Sequence, residues 1–145
     1  MSDLVIRTAT QVDLGELKEL ADAHKDELGF VLRPALARSI AQGEVLVAED
    51  KAGLVGFVEY HHRQDEQTTL YHIVVAPDYR RRGIGRRLIE RLADEARMAG
   101  KGFIALKCPT ALPANDFYAR TGWLLVGSEP GKNRPLNLWR LVLAD

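Results

Sequence analysis

The residues best suited to chemistry sit in one stretch of twelve, 80–91, which carries six arginines against a single acid, Glu90. Arg80, Arg81 and Arg82 run into Gly83-Ile84-Gly85, and Arg86 and Arg87 follow. A strand-like run, Tyr71-His72-Ile73-Val74-Val75, and the breaker Pro77 precede this loop, and a helical pattern follows it. Strand, turn, then Gly-x-Gly at a helix start aims several backbone N–H groups at one anion. Glycine is needed there because a Cβ would keep a phosphate at a distance, and the helix dipole adds partial positive charge. The placement suits a pyrophosphate better than a long polyanion. Two common phosphate motifs are excluded. A P-loop needs Gly-Lys-Ser/Thr where this chain has Gly85-Arg86-Arg87, and a dinucleotide fingerprint needs a third glycine where it has Leu88. A salt-screened helix face explains Arg87 and Arg91, one turn apart, but not the three arginines that precede the helix.

The elements that must hold this loop are legible on both sides of it. Residues 4–8 read as a strand, and Thr10 followed by Asp13 opens a helix with Leu14, Leu17 and Ala21 on one face and Gly29 as its breaker. Pro34 starts a second helix with Leu36 and Ile40 inward, ended by Gly43. Residues 45–49 and 54–60 are strands around the turn Asp50-Lys51-Ala52-Gly53, and 69–75 returns as a third after a polar turn at 64–67. Beyond Pro77 a helix carries Leu88, Leu92 and Ala99 on one stripe and closes at Gly100, and 103–107 reads as a buried strand. Strand, loop, helix, strand is a parallel crossover. Pro113 starts a short helix that Gly122 ends, and strands 123–126 and 136–143 close the chain around Glu129-Pro130-Gly131. The pattern is an α/β domain with a mixed sheet and about four helices.

Composition bounds the function. At 145 residues, 46% hydrophobic and 28% charged, the chain reads as one globular domain over residues 1–145. Twenty basic residues balance twenty acidic ones, which speaks against nucleic acid as a partner. The longest apolar runs, such as 73–76, are four residues and cannot span a bilayer, so no membrane role is expected. Asp3 and Arg7 stand where an export signal would need an apolar stretch, which points to the cytoplasm. A single cysteine, Cys108, excludes an internal disulfide and a multi-cysteine metal cage.

After the Val-x-Pro strand end, the run Arg80-x-x-Gly83-x-Gly85 resembles the acyl-CoA loop of the GNAT superfamily of N-acetyltransferases. A second segment, Asn115-Asp116-Phe117-Tyr118-Ala119-Arg120-Thr121-Gly122-Trp123, resembles that family's FYxxxGF motif, with Trp123 for the usual phenylalanine. The resemblance implies a mostly antiparallel mixed sheet of about seven strands with about four helices. It implies acetyl-CoA as cosubstrate, no metal, and direct attack of a primary amine on the thioester in a ternary complex. The backbone of Ile73, Val74 and Val75 would pair with the pantetheine arm, and Arg80, Arg81, Arg82, Gly83, Ile84, Gly85 and Arg86 would hold the pyrophosphate. Tyr118 matches the family's general acid. Many relatives carry an asparagine where this chain has Ala111, so Asn115 is the candidate cofactor contact in its place. A homodimer through the last strands is compatible with the resemblance.

No family base carries over by position: Thr69, Tyr71 and Leu106-Lys107 occupy the places where relatives hold one. Glu59 is the only carboxylate in the strand pair leading to the loop, and shares a face with His61 by strand alternation. It is therefore the candidate for deprotonating the amine, against a plain reading of Glu59, His61 and His62 as a solvated strand end. His72, alternating with Tyr71 and Ile73, reads as a packed histidine. Cys108 has no histidine nearby in sequence and reads as a small buried residue. His24 and Phe30 fall where the acceptor pocket is bordered in this superfamily, and Lys132-Asn133-Arg134 reads as a solvated turn. Without a base, the alternative is a non-catalytic acyl-CoA-binding regulatory protein of the same fold.

Overall fold

Arg7, Asp13 and Glu49 tie the first strand to the first helical turn. Arg7 donates to both Asp13 oxygens at 2.8 and 2.9 Å and to Glu49 at 3.1 and 3.2 Å. Asp13 also accepts the Thr10 N–H at 2.8 Å, the capping box expected from the sequence. The Arg7 hydrogen bond, above all, holds the Asp13 carboxyl below its ordinary range. The computed structural model describes residues 3–143, so the bounds read from the sequence, 1–145, include two residues outside that range at either end.

Seven strands form one sheet in the order β1-β2-β3-β4-β5-β7-β6. The β4–β5 pair is parallel, and β1–β2, β2–β3, β5–β7 and β6–β7 are antiparallel. With four helices of seven or more residues, this is the expected α/β mixed sheet. The chain divides into two compact units, residues 1–61 with 72–92, and 62–71 with 93–145.

The first unit holds β1 (Val5–Thr8), α1 (Leu14–Asp22), α2 (Lys25–Leu28), α3 (Arg33–Ala41), β2 (Val45–Asp50) and β3 (Gly53–His62). It also holds the second half of β4 (Gln67–Val75) and the start of α4 (Ile84–Met98). Leu17, Ala21, Leu36 and Ile40 pack on Val45, Val47, Phe57 and Val74, as the helical spacing requires. Each such side chain contributes about 1.5–3 kcal/mol on burial, less for Ala. The turn between β2 and β3 is an Asx turn, with Asp50 Oδ1 accepting the Ala52 N–H at 2.8 Å.

Two expectations are corrected. The first helix does not run to Gly29: α1 stops at Asp22, and His24 leaves the helical region (φ −123°, ψ 34°) with its Nδ1 3.0 Å from the Leu20 carbonyl. Gly29, at φ 73°, ends the separate four-residue α2. On α4 the buried stripe is Leu88, Leu92 and Ala96, whereas Ala99 is exposed just past the helix end at Met98.

The second unit holds the first half of β4, the end of α4, β5 (Phe103–Pro109), α5 (Ala114–Arg120), β6 (Leu124–Glu129) and β7 (Leu136–Val142). β4 pairs with β5 over Gln67, Thr68 and Thr69 only. β7 pairs with β5 along its whole length, from Phe103↔Val142 to Pro109↔Leu136, and with β6 on its other side. Trp123, just before β6, and Trp139 on β7 are buried.

Candidate active site

The far end of β4 presents backbone rather than side chains. A Cβ on Gly56 would lie 2.9 Å from the Val74 carbonyl oxygen, so β3 approaches β4 closely there only because residue 56 is glycine. The Ala76 N–H donates to the Val55 carbonyl at 2.8 Å. Val74 and Ala76 thus direct their peptide groups toward β3. Along a strand these groups alternate between edges, so those of Ile73 and Val75 point to the other edge, beyond the three-residue pairing with β5. This corrects one expectation: Val74 cannot pair with a ligand on that edge, while Ile73 and Val75 can. The Val75 carbonyl already accepts from Arg80 Nε at 2.9 Å.

The loop that follows is shaped by two left-handed residues, Arg81 at φ 65° and Gly83 at φ 80°. The first helical bond of α4 runs from the Arg87 N–H to the Gly83 carbonyl at 3.0 Å. The N–H groups of Gly83, Ile84, Gly85 and Arg86 therefore have no acceptor within the helix. A Cβ on Gly83 would meet nothing within 4 Å, so the protein leaves the space in front of it open.

The arginines divide into two sets. Arg80 bridges Val75 and Glu27, the latter at 3.1 Å, and so braces the end of β4 against α2. Arg82 lies over the Tyr79 ring at 5.0 Å, beside a cleft of about 480 Å³ that Asp50, Ile84 and Arg87 also line. Arg91 donates to the Ile6 carbonyl at 3.2 Å. Arg81, Arg86 and Arg87 are exposed and form no ion pair among the described residues. Arg82 is exposed and without an ion pair as well, so these four cations border the open space before α4.

Glu59 is not part of a solvated strand end. It is buried, Ser39 Oγ on α3 donates to its Oε2 at 2.7 Å, and His72 Nδ1 on β4 lies 2.7 Å from its Oε1. His72 is correspondingly not a packed histidine but a half-buried partner of a buried carboxylate. His61, expected beside Glu59, pairs instead with Glu44 at 2.8 Å, and His62 with Thr68 at 2.8 Å. Phe30 is 81% exposed, with Lys25 5.4 Å from its ring, and has no packing role.

In the second unit Tyr118 is buried on α5, its ring edge-on to Phe117 and Trp123 and tilted against Trp139, with centroids 5.4–6.0 Å away. Asn115, one turn earlier, donates through Nδ2 to the carbonyls of Pro109, Leu112 and Thr110 at 2.9, 2.8 and 3.3 Å. Its Oδ1 accepts from Trp139 Nε1 at 2.9 Å and Asn137 Nδ2 at 3.1 Å. The amide is fully engaged within the protein, which makes Asn115 a brace and leaves its side chain nothing to offer a cofactor. Burial pushes the Cys108 thiol up to about 11, despite Arg134, so the thiolate a nucleophile needs is disfavoured.

The acetyltransferase (GNAT) domain family matches residues 41–123, which include the β4 edge, the loop and Tyr118. The L-amino acid N-acyltransferase MnaT of Escherichia coli (strain K12) is 35% identical over 69 residues, 45% of this chain and 40% of that protein. N-acetylglutamate synthase from Neisseria gonorrhoeae, solved with coenzyme A and N-acetyl-glutamate, superposes with a TM-score of 0.87 at 18% identity, over 100% of this chain and 36% of that one. The chain thus spans well under half the length of both. yncA from Salmonella typhimurium, solved with its cofactor acetyl-CoA, superposes at 0.81 with 22% identity, over 99% of this chain and 96% of that one. At these identities the superpositions speak for the fold. With more than half of its residues inside the family match, the chain belongs to the GNAT acetyltransferase family.

Proposed function

We propose that this chain transfers acetyl from acetyl-CoA to a primary amine by direct attack in a ternary complex. The observation that carries the reading is a strand edge with its amides turned outward at Ile73 and Val75, running straight into four N–H groups without helical acceptors at residues 83–86. The edge suits the extended pantetheine arm as an added strand. The loop suits the pyrophosphate, with Arg81, Arg82 and Arg86 around it. The Ile73 N–H polarises the thioester carbonyl as negative charge develops on its oxygen. Tyr118 protonates the departing sulfur, and Glu59 serves the removal of the proton from the incoming ammonium.

The α-amino group of an amino acid is the first acceptor to test, because the curated relative is an L-amino acid N-acyltransferase. The same reading includes self-association: Leu124, Leu125 and Val126 on β6, the end strand of the sheet, are each more than half exposed, an apolar edge for a second copy to cover. The deciding experiment measures free-thiol release from acetyl-CoA across the twenty L-amino acids and their amides. Amine-dependent release supports the reading. Binding of acetyl-CoA without release on any amine would make this an acyl-CoA-binding protein.

A further inference from the structure

We infer that His72 is the general base that takes the proton from the acceptor ammonium, and that Glu59 and Ser39 position it. The inference rests on the acetyl-transfer reading above and names the residue that reading lacks. Both Glu59 oxygens are engaged, Oε2 by the Ser39 hydroxyl and Oε1 by His72 Nδ1, each at 2.7 Å. An ionised carboxylate only accepts hydrogen bonds, so the Nδ1 facing it carries the ring hydrogen. Nε2 then keeps its lone pair, which is the tautomer a general base requires.

Exposure separates the two roles. The Glu59 side chain is 6% exposed and cannot meet an acceptor, whereas that of His72 is 25% exposed. His72 also directly precedes Ile73 on β4, one residue from the amide proposed to polarise the thioester. The titratable group facing His72 is Glu59, from β3; α3 contributes Ser39, which does not titrate, and His72 has no further hydrogen bond or ion pair among the described residues. In the second histidine–carboxylate pair, His61 lies on β3, a strand removed from that amide, and Glu44 just before β2; this pair serves as the internal control.

His72 Nε2 takes one proton from R–NH3+, leaving R–NH2 with a free lone pair. That lone pair attacks the thioester carbon, the C–N bond forms and the C–S bond breaks. The second amine proton is lost as the amide forms, and one proton returns to sulfur to give free CoA thiol. The proton on His72 passes to solvent, so the net products are amide, thiol and H+.

The test uses the whole chain, 15N-labelled at histidine, and the L-amino acid amide that the parent protein acetylates fastest. Long-range 1H–15N spectra should show His72 protonated at Nδ1 with Nε2 bare, and His72→Gln should lose only that signal. Glutamine still donates to Glu59 but cannot take a proton, so His72→Gln should fold, keep its stabilisation by acetyl-CoA, and lose about 100-fold in kcat/KM at pH 7. Its pH profile should lose the acid limb. Glu59→Gln should lose about 10-fold and displace that limb, while His61→Gln keeps the parent profile. An Nε2–H tautomer at His72, or a parental pH profile in His72→Gln, overturns the assignment. If the parent protein releases no thiol with any amine, the acetyl-transfer reading itself fails and the base with it.

Discussion

The starts of α4 and α5 were both marked by motif as cofactor contacts, yet they treat their polar groups in opposite ways. At the start of α4, four N–H groups and the side chains of Arg81, Arg86 and Arg87 have no partner in the helix or in an ion pair. At the start of α5, the Asn115 amide makes five internal hydrogen bonds. Open donors around open space make a binding site, while a saturated node makes a support. Asn115 fixes Trp139, and Trp139 packs on Tyr118, so the second region supports the side chain proposed as proton donor.

The sharpest challenge to that contrast is Tyr118→Phe. If α5 exists to hold a proton donor, deleting the hydroxyl should lower kcat by roughly 10²-fold, about 3 kcal/mol, when breakdown of the tetrahedral intermediate limits the rate. The ring contacts with Phe117, Trp123 and Trp139 remain, so Tm should barely move. A Phe variant with the parent's kcat at saturating amine would reduce Tyr118 to packing.

Asn115→Ala probes the opposite property. It strips the acceptor from the buried Trp139 Nε1 and the half-buried Asn137 Nδ2, and the loss of partners should cost about 2–3 kcal/mol by urea unfolding. The affinity for acetyl-CoA should stay within about twofold, since the amide has no capacity to spare for a ligand. A stable variant with weakened cofactor binding would reverse the roles of the two regions.

The smallest expected effect is at Arg81. Its φ of 65° is strained for a residue with a Cβ, so Arg81→Gly should be stability-neutral or stabilising by up to about 1 kcal/mol in the unliganded protein. Affinity for acetyl-CoA should nevertheless fall severalfold, because one of the loop's arginines without an ion pair is gone. Equal affinity would assign anion binding to the backbone alone.

Which parts were legible in the sequence follows from how local their causes are. The helix start at Thr10 and Asp13, the turn at 50–53 and the strand–loop–helix run from β4 into α4 each depend on neighbours a few residues apart, and the sequence pattern marks each of them. The break at His24 was missed because no glycine or proline marks it; the ring's contact with Leu20 accompanies it. Side-chain alternation placed Glu59 on a face but not at a depth. Its partners are 20 and 13 residues away on α3 and β4, and only the folded sheet brings them together. Likewise, the pattern 73–75 is uniform in sequence, and the close approach of Gly56 to Val74 is what separates Val74 from Ile73 and Val75. Asn115 looked like a ligand contact because the partners that saturate it include β7 residues 22 and 24 positions on.

The central claim about this protein is that the loop before α4 seats the cofactor's pyrophosphate. Calorimetric titration of acetyl-CoA into the parent protein and into Gly83→Val tests it most directly. Valine at φ 80° is strained and fills the space that the protein leaves open there, so circular dichroism must first show the variant folded. Binding to the parent should be saturable, and binding to the folded variant at least a hundredfold weaker or absent. A folded Gly83→Val protein that binds acetyl-CoA with the parent's affinity would contradict it.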